Sequence, residues 1–136
     1  GVDGERVKRA IEEAERATSG EIVVSVAPFF LGDVRRAAER AFDRLGLHRT
    51  RERNGVLLFV VPARRRLYIL GDEGIHGKVG QEFWERIAAE VSRRLGEGDP
   101  TGALVDCVGA VGRELALHFP ARPGDNPNEL PDEPDM

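Results

Sequence analysis

The six residues VLLFVV at positions 56–61 are apolar without exception, and how that run is read decides the fold. Only a strand covered on both faces, or a buried helix, tolerates such a sequence, and a length of six stopping at Pro62 favours the strand. It is therefore expected to be the central strand. Downstream, PARR (62–65) turns the chain and RLYIL (66–70) reads as a further strand. A connection this short joins only antiparallel neighbours. Upstream, EIVVSVA (21–27) is rich in β-branched residues and reads as the first strand. Between these two lies a helix capped by Asp33, with Val34, Ala37, Ala38, Ala41, Phe42 and Leu45 on one face and Gly46 at its end. Two strands joined through a helix run parallel with a right-handed crossover.

Three further helices complete the reading. Val7, Ile11 and Ala14 recur at helical spacing across about 3–17, and Thr18-Ser19-Gly20 stops that helix. A third helix is expected from about Lys78 to Leu95, with Phe83, Ile87, Val91 and Leu95 on one face. Asp99 caps the fourth, Pro100 takes its first position, where a missing N–H costs nothing, and Leu104, Cys107, Val108, Val111 and Leu115 form its stripe. The expected architecture is one α/β domain over residues 1–120 with a small mixed sheet, followed by a tail over 121–136.

Composition narrows the function classes. Of 136 residues, 40% are hydrophobic and 32% charged, an ordinary globular balance. No apolar run approaches the roughly 18 residues of a membrane span, and a charged-then-apolar leader pattern is missing. The single cysteine, Cys107, excludes an internal disulfide and points to a reducing, cytoplasmic setting. Its valine-rich surroundings mark it as buried filler. Residues 125–136 hold five of the 24 acids and no base; without them 19 acids face 20 bases. So balanced a body argues against nucleic acid as a partner. The acidic, proline-rich tail reads as a solvated, disordered end, or else as a segment that docks on a protein partner.

Strand direction also predicts which distant residues meet. The starts of strands one and two and the finish of strand three share one end of the sheet. Glu21, Arg53-Asn54-Gly55 and Gly71-Asp72-Glu73-Gly74 stand there, with the loop LHRTRER (47–53) arriving beside them. Glu21, Asn54, Asp72 and Glu73 are hard oxygen donors, a set suited to Ca²⁺ or Mg²⁺ rather than zinc. The alternative is a group of strand-end carboxylates neutralised by Arg49, Arg51 and Arg53. The segment GDEGIHGKVG (71–80) has four glycines but is no P-loop: the residue five before Gly77 is Asp72, and Val79 follows Lys78. Its glycines read as turn residues, or as a backbone able to meet a small anion beside Lys78. His48, His76 and His118 are scattered and read as surface or edge residues. The triple base Arg64-Arg65-Arg66 reads as a solvated turn, and Asp33 and Asp99, explained by capping, fall at the other end of the sheet.

Several stretches together resemble the TPM domain family, named in part for a thylakoid lumen protein: ATSGEIVVSV (17–26), LGLHRTRERNGVLLFVV (45–61), LGDEGIHGKVGQEFWERI (70–87) and GEGDPTGAL (96–104), with HFP (118–120) and NELPDE (128–133). The resemblance implies a three-layer αβα sandwich. It also implies divalent-cation binding, an auxiliary role beside a membrane-associated complex, or a metal-assisted phosphatase activity. Under the last, a bound cation with Arg49, Arg51 or Arg53 would offset phosphate charge and Asp72 would attack or act as base. Many exported members carry an acid before the Asn-Gly pair, where this chain has Arg53. That exchange removes one ligand and adds a positive charge.

Overall fold

In a computed structural model the described residues are 1–122. Of the expected tail over 121–136, residues 123–136 lie outside them. The order is α1 (Gly4–Glu15), β1 (Glu21–Val26), α2 (Val34–Arg44), β2 (Gly55–Val61), β3 (Arg66–Gly71), α3 (Glu73–Val79), α4 (Gln81–Gly96) and α5 (Pro100–His118), with 3-10 turns at Leu47–Arg49 and Pro62–Arg64. The sheet runs β1-β2-β3. β1 lies parallel to β2, with Glu21 opposite Gly55, and β3 returns antiparallel, with Val56 opposite Gly71. The mixed sheet expected from the sequence is the one observed.

The all-apolar β2 is explained by its two coverings. Val56, Leu58 and Val60 face a layer built from α1, α4 and α5, where Ile11, Leu104, Val108 and Leu115 pack. Leu57, Phe59 and Val61 face α2, where Ala38, Ala41 and Phe42 meet them. Every residue of β2 is buried. Alternation along a strand thus separates the two cores, as a period of two requires. Cys107 sits in the larger core at 2% exposure, and burial pushes its thiol up to about 12.

The helix starts follow their sequence signals. Asp33 accepts the Arg36 N–H at 3.0 Å, and Asp99, followed by Pro100, accepts that of Gly102 at 3.0 Å. One expectation fails. The glycine-rich segment after β3 is helical, so the expected helix from Lys78 is two helices, α3 and α4, broken at Gly80 (φ +78°). That angle is open to glycine and costly for other residues, which fixes the break at that position. Gly74 explains why α3 forms despite its composition: any Cβ there would strike the backbone carbonyl of Arg53 at 2.6 Å and approach that of Glu52 more closely still. The helix thereby lies directly on the chain leading into β2.

Candidate functional site: the rim where β1 and β2 begin

Two hydrogen bonds fix this rim. The Glu21 N–H donates to Asn54 O at 3.4 Å, and the Asp72 N–H to Gly55 O at 2.9 Å. Glu21, Gly55 and Asp72 therefore form one row across three strands, and Glu21 and Asp72 share an end of the sheet as expected. The row also keeps them apart. Two strand spacings place their Cα atoms roughly 10 Å from one another. The space over Gly55 between them is filled by Leu47, whose carbonyl oxygen lies 2.7 Å from where a Gly55 Cβ would be. Glu21 itself is buried at 1% exposure.

Asp72 is the centre of the rim. It caps α3, its Oδ1 accepting the Glu73 N–H at 2.8 Å. Arg53 grips both carboxylate oxygens, Nε to Oδ2 at 2.6 Å and Nη2 to Oδ1 at 2.9 Å, and its Nη1 reaches Glu73 Oε1 at 3.2 Å. Such a fork is the geometry guanidinium offers a carboxylate. Arg53 aims this way because its backbone is left-handed, φ +54°, a strained region for a non-glycine residue. Burial would raise the Asp72 carboxyl. The hydrogen bonds from Arg53 and the Glu73 N–H, with the positive charge of Arg53 and of His48, outweigh it and hold the group below its ordinary value.

His48, a surface residue as expected, also belongs to the same cluster. Its Nε2 lies 2.8 Å from Asp43 Oδ1, and its Nδ1 lies 3.2 Å from Arg53 Nη2 and 3.5 Å from Asp72 Oδ1. The ring also packs edge-on against Phe42, 4.7 Å between centroids. A cleft of about 260 Å³ opens beside it, lined by Glu39, Asp43, His48, Leu70 and Asp72 among others. His76, exposed as expected of a surface or edge residue, accepts the Trp84 indole N–H at 3.0 Å.

Asn54 anchors the second part of the rim. Its N–H donates to Thr50 Oγ1 at 3.0 Å and its Nδ2 to Ser19 Oγ at 3.2 Å. The Ser19 hydroxyl donates in turn to Glu52 Oε2 at 2.6 Å, and Arg122 pairs with Glu52. The Asn54 Oδ1 is buried and accepts no hydrogen bond from the described residues. A Thr18–Pro120 bridge holds the end of α5 at this rim.

Of the four expected oxygen donors, Asp72 and Glu73 meet through Arg53, Asn54 is buried in the Ser19–Glu52 network, and Glu21 lies across Gly55. Among the described residues no three His, Cys, Asp or Glu side chains come close enough to hold one metal ion. Of the four expected anion contacts, Arg53 is committed to carboxylates, while Arg49, Arg51 and Lys78 are exposed. With only seven residues α3 is also a weak dipole, and its first N–H is already capped by Asp72. Among the described residues no helix is long and apolar enough to cross a membrane.

Comparison with known proteins places this arrangement among relatives. The family model described as the TPM domain matches residues 3–114. The chain is similar to the BA42 protein of the psychrophilic bacterium Bizionia argentinensis, solved by NMR, with 32% identity, TM-score 0.85, and coverage of 96% of this chain and 92% of that one. The N-terminal domain of the cg2496 protein from Corynebacterium glutamicum shares the fold at 17% identity, with TM-score 0.63 over 82% of this chain and 70% of that one. A search of curated proteins found no match.

Proposed function

Since this chain belongs to the TPM domain family, we propose that it works as a non-catalytic docking domain, an auxiliary module for a protein partner in a membrane-associated complex, whose β-strand rim is closed by its own guanidinium where a divalent cation would otherwise bridge the carboxylates. The observation that carries this reading is the Arg53 fork on Asp72, extended to Glu73. From the loop that precedes β2, one delocalised positive charge is shared between the two acids and offsets half of their charge, without any exchangeable ion. The exposed Arg49 and Arg51 on that loop are then the contact surface.

The geometry gives phosphatase chemistry less support. Asp72, the carboxylate available for attack, accepts two N–H groups from Arg53 and one from its own helix. A carboxylate so engaged and so acidic is a weak nucleophile and a weak base. The single cysteine, Cys107, lies in the core with its thiol pushed up to about 12.

A second reading, a resident Ca²⁺ or Mg²⁺ held by Glu21, Asn54, Asp72 and Glu73, draws on a different observation. The Asn54 Oδ1 is a buried hard donor without a partner among the described residues, a condition that costs about 1–3 kcal/mol. The remaining donors do not fit as they stand, because Arg53 occupies the carboxylates the ion would need. Thermal melts in EDTA, Ca²⁺ and Mg²⁺ separate the two. A cation at 100 times its dissociation constant adds about 2.7 kcal/mol. The guanidinium-closed domain is expected to melt at the same temperature in all three, within about a degree. A rise of several degrees in either metal would replace the first reading with the second.

A further inference from the structure

The other end of the sheet carries two large apolar side chains that no other described residue covers. In the loop PFFLG (28–32) Phe29 is 88% and Leu31 87% exposed. Their exposure is imposed by the loop's own packing. Phe30, between them, turns inward and meets Phe59 edge-on, ring centroids 6.1 Å apart at 89°. Arg64, from the β2–β3 turn, donates Nη1 to Gly32 O at 2.7 Å and Phe30 O at 3.4 Å. A Cβ on Gly32 would lie 2.7 Å from the Phe30 ring. With Phe30 anchored and two carbonyls held, alternation directs Phe29 and Leu31 away from the core.

The charge around this tip has one sign. Residues 28–36 and 62–66 together hold Arg35, Arg36, Arg64, Arg65 and Arg66 against a single acid, Asp33, and its carboxylate is committed to the α2 cap. Arg65 and Arg66 are exposed and form no ion pair among the described residues. Arg35 has only a 4.0 Å approach to Glu39. Of the acids that reach this end on the other layer, Asp3 caps α1, and Glu97 and Asp99 pair with Arg93 and Arg94.

We propose that this tip docks on an anionic lipid surface, Phe29 and Leu31 entering the interface while the surrounding arginines meet lipid phosphates and carboxylates. A protein groove would need a broad apolar contact, whereas here two side chains project from a ring of guanidinium groups. Apolar side chains combined with basic ones make a lasting interfacial anchor where either alone gives a weak one. Arginine suits the flank because its stem lies along the apolar boundary while its head stays with the phosphates. Docked this way, the Arg53–Asp72 rim points away from the lipid, at the opposite end of the strands.

Co-sedimentation with vesicles tests it, comparing pure phosphatidylcholine with a mixture containing about one third phosphatidylserine. The wild-type chain is expected to bind the anionic vesicles at least tenfold better than the neutral ones and to be released by high salt. Phe29→Ser with Leu31→Ser should lower anionic binding at least tenfold with an unchanged melting temperature, since neither side chain is packed. Arg65→Glu with Arg66→Glu should lower it similarly. Equal binding to both vesicles, or anionic binding unaffected by the loop variants, overturns the proposal. A chain that ignores both vesicles also overturns it, and leaves the tip to a protein partner.

Discussion

Two glycines three residues apart on α3 should respond to the same substitution with opposite signs. Gly74 donates its N–H to Arg53 O at 2.8 Å, and a Cβ placed on it would lie 2.6 Å from that oxygen and nearer to Glu52 O. Both obstacles are backbone, so no rotamer change relieves them, and Gly74→Ala must lift the start of α3 from the chain before β2. Overpacking of this kind costs about 1–3 kcal/mol. Losing the Gly74–Arg53 hydrogen bond costs about 1 kcal/mol more, while alanine returns about 1 kcal/mol in helix propensity. The net loss is about 1–3 kcal/mol. A chain of 136 residues shifts by roughly 3.5 °C per kcal/mol on the usual unfolding entropy per residue, so Gly74→Ala should melt about 4–10 °C lower. At Gly77 a Cβ meets nothing within 4 Å. Gly77→Ala should then gain about 0.5–1 kcal/mol, or roughly 2–3 °C. Thermal unfolding followed by circular dichroism measures both, and amide spectra of Gly74→Ala should show shifts spreading to Arg53, Asn54 and Asp72. The reasoning is refuted if Gly74→Ala melts within a degree of wild type, or if Gly77→Ala falls as far as Gly74→Ala.

Two further outcomes follow from ionisation. The Asp72 carboxyl is held below its ordinary value in the folded chain; its stabilisation is present above the unfolded value of about 3.9 and lost as pH falls through the folded one. Asp72→Asn should therefore melt well below wild type at pH 7, with the gap closing below about pH 4; a gap independent of pH would contradict this. Cys107, buried and with its thiol pushed up to about 12, should resist a thiol reagent at pH 8 in the native chain and react at once in denaturant, and rapid native labelling would show the core to be open there.

The fold was legible because its decisive signals are local. An all-apolar run before Pro62, a four-residue turn and a capped helix between two β-branched runs leave few topologies. α3 was hidden because propensity argues against it: Gly74 and Gly77 weaken a helix, and the reason for Gly74 is a contact with Glu52 and Arg53, some twenty residues earlier. The rim was legible at the level of strand ends, since direction alone brings Glu21, Asn54 and Asp72 to one edge. Its chemistry was not. Whether two acids on one edge share an ion depends on what lies between them, and the filler is Leu47 over Gly55. The Arg53 fork depends on a left-handed backbone that no spacing rule announces, and His48 joins the cluster through a 3-10 turn whose course the sequence leaves open.

In the proposed reading a built-in guanidinium stands where a cation would, and a Ca²⁺ titration of two chains, read from backbone amide shifts, tests that substitution. The wild type should show no localised change at Glu21, Asn54, Asp72 or Glu73 up to millimolar metal. Arg53→Asp, which suits the left-handed backbone and turns a competing cation into an oxygen donor beside Asp72 and Glu73, should gain saturable shifts at those two residues. Saturable shifts in the wild type, or none in Arg53→Asp while its fold is intact, would contradict the account.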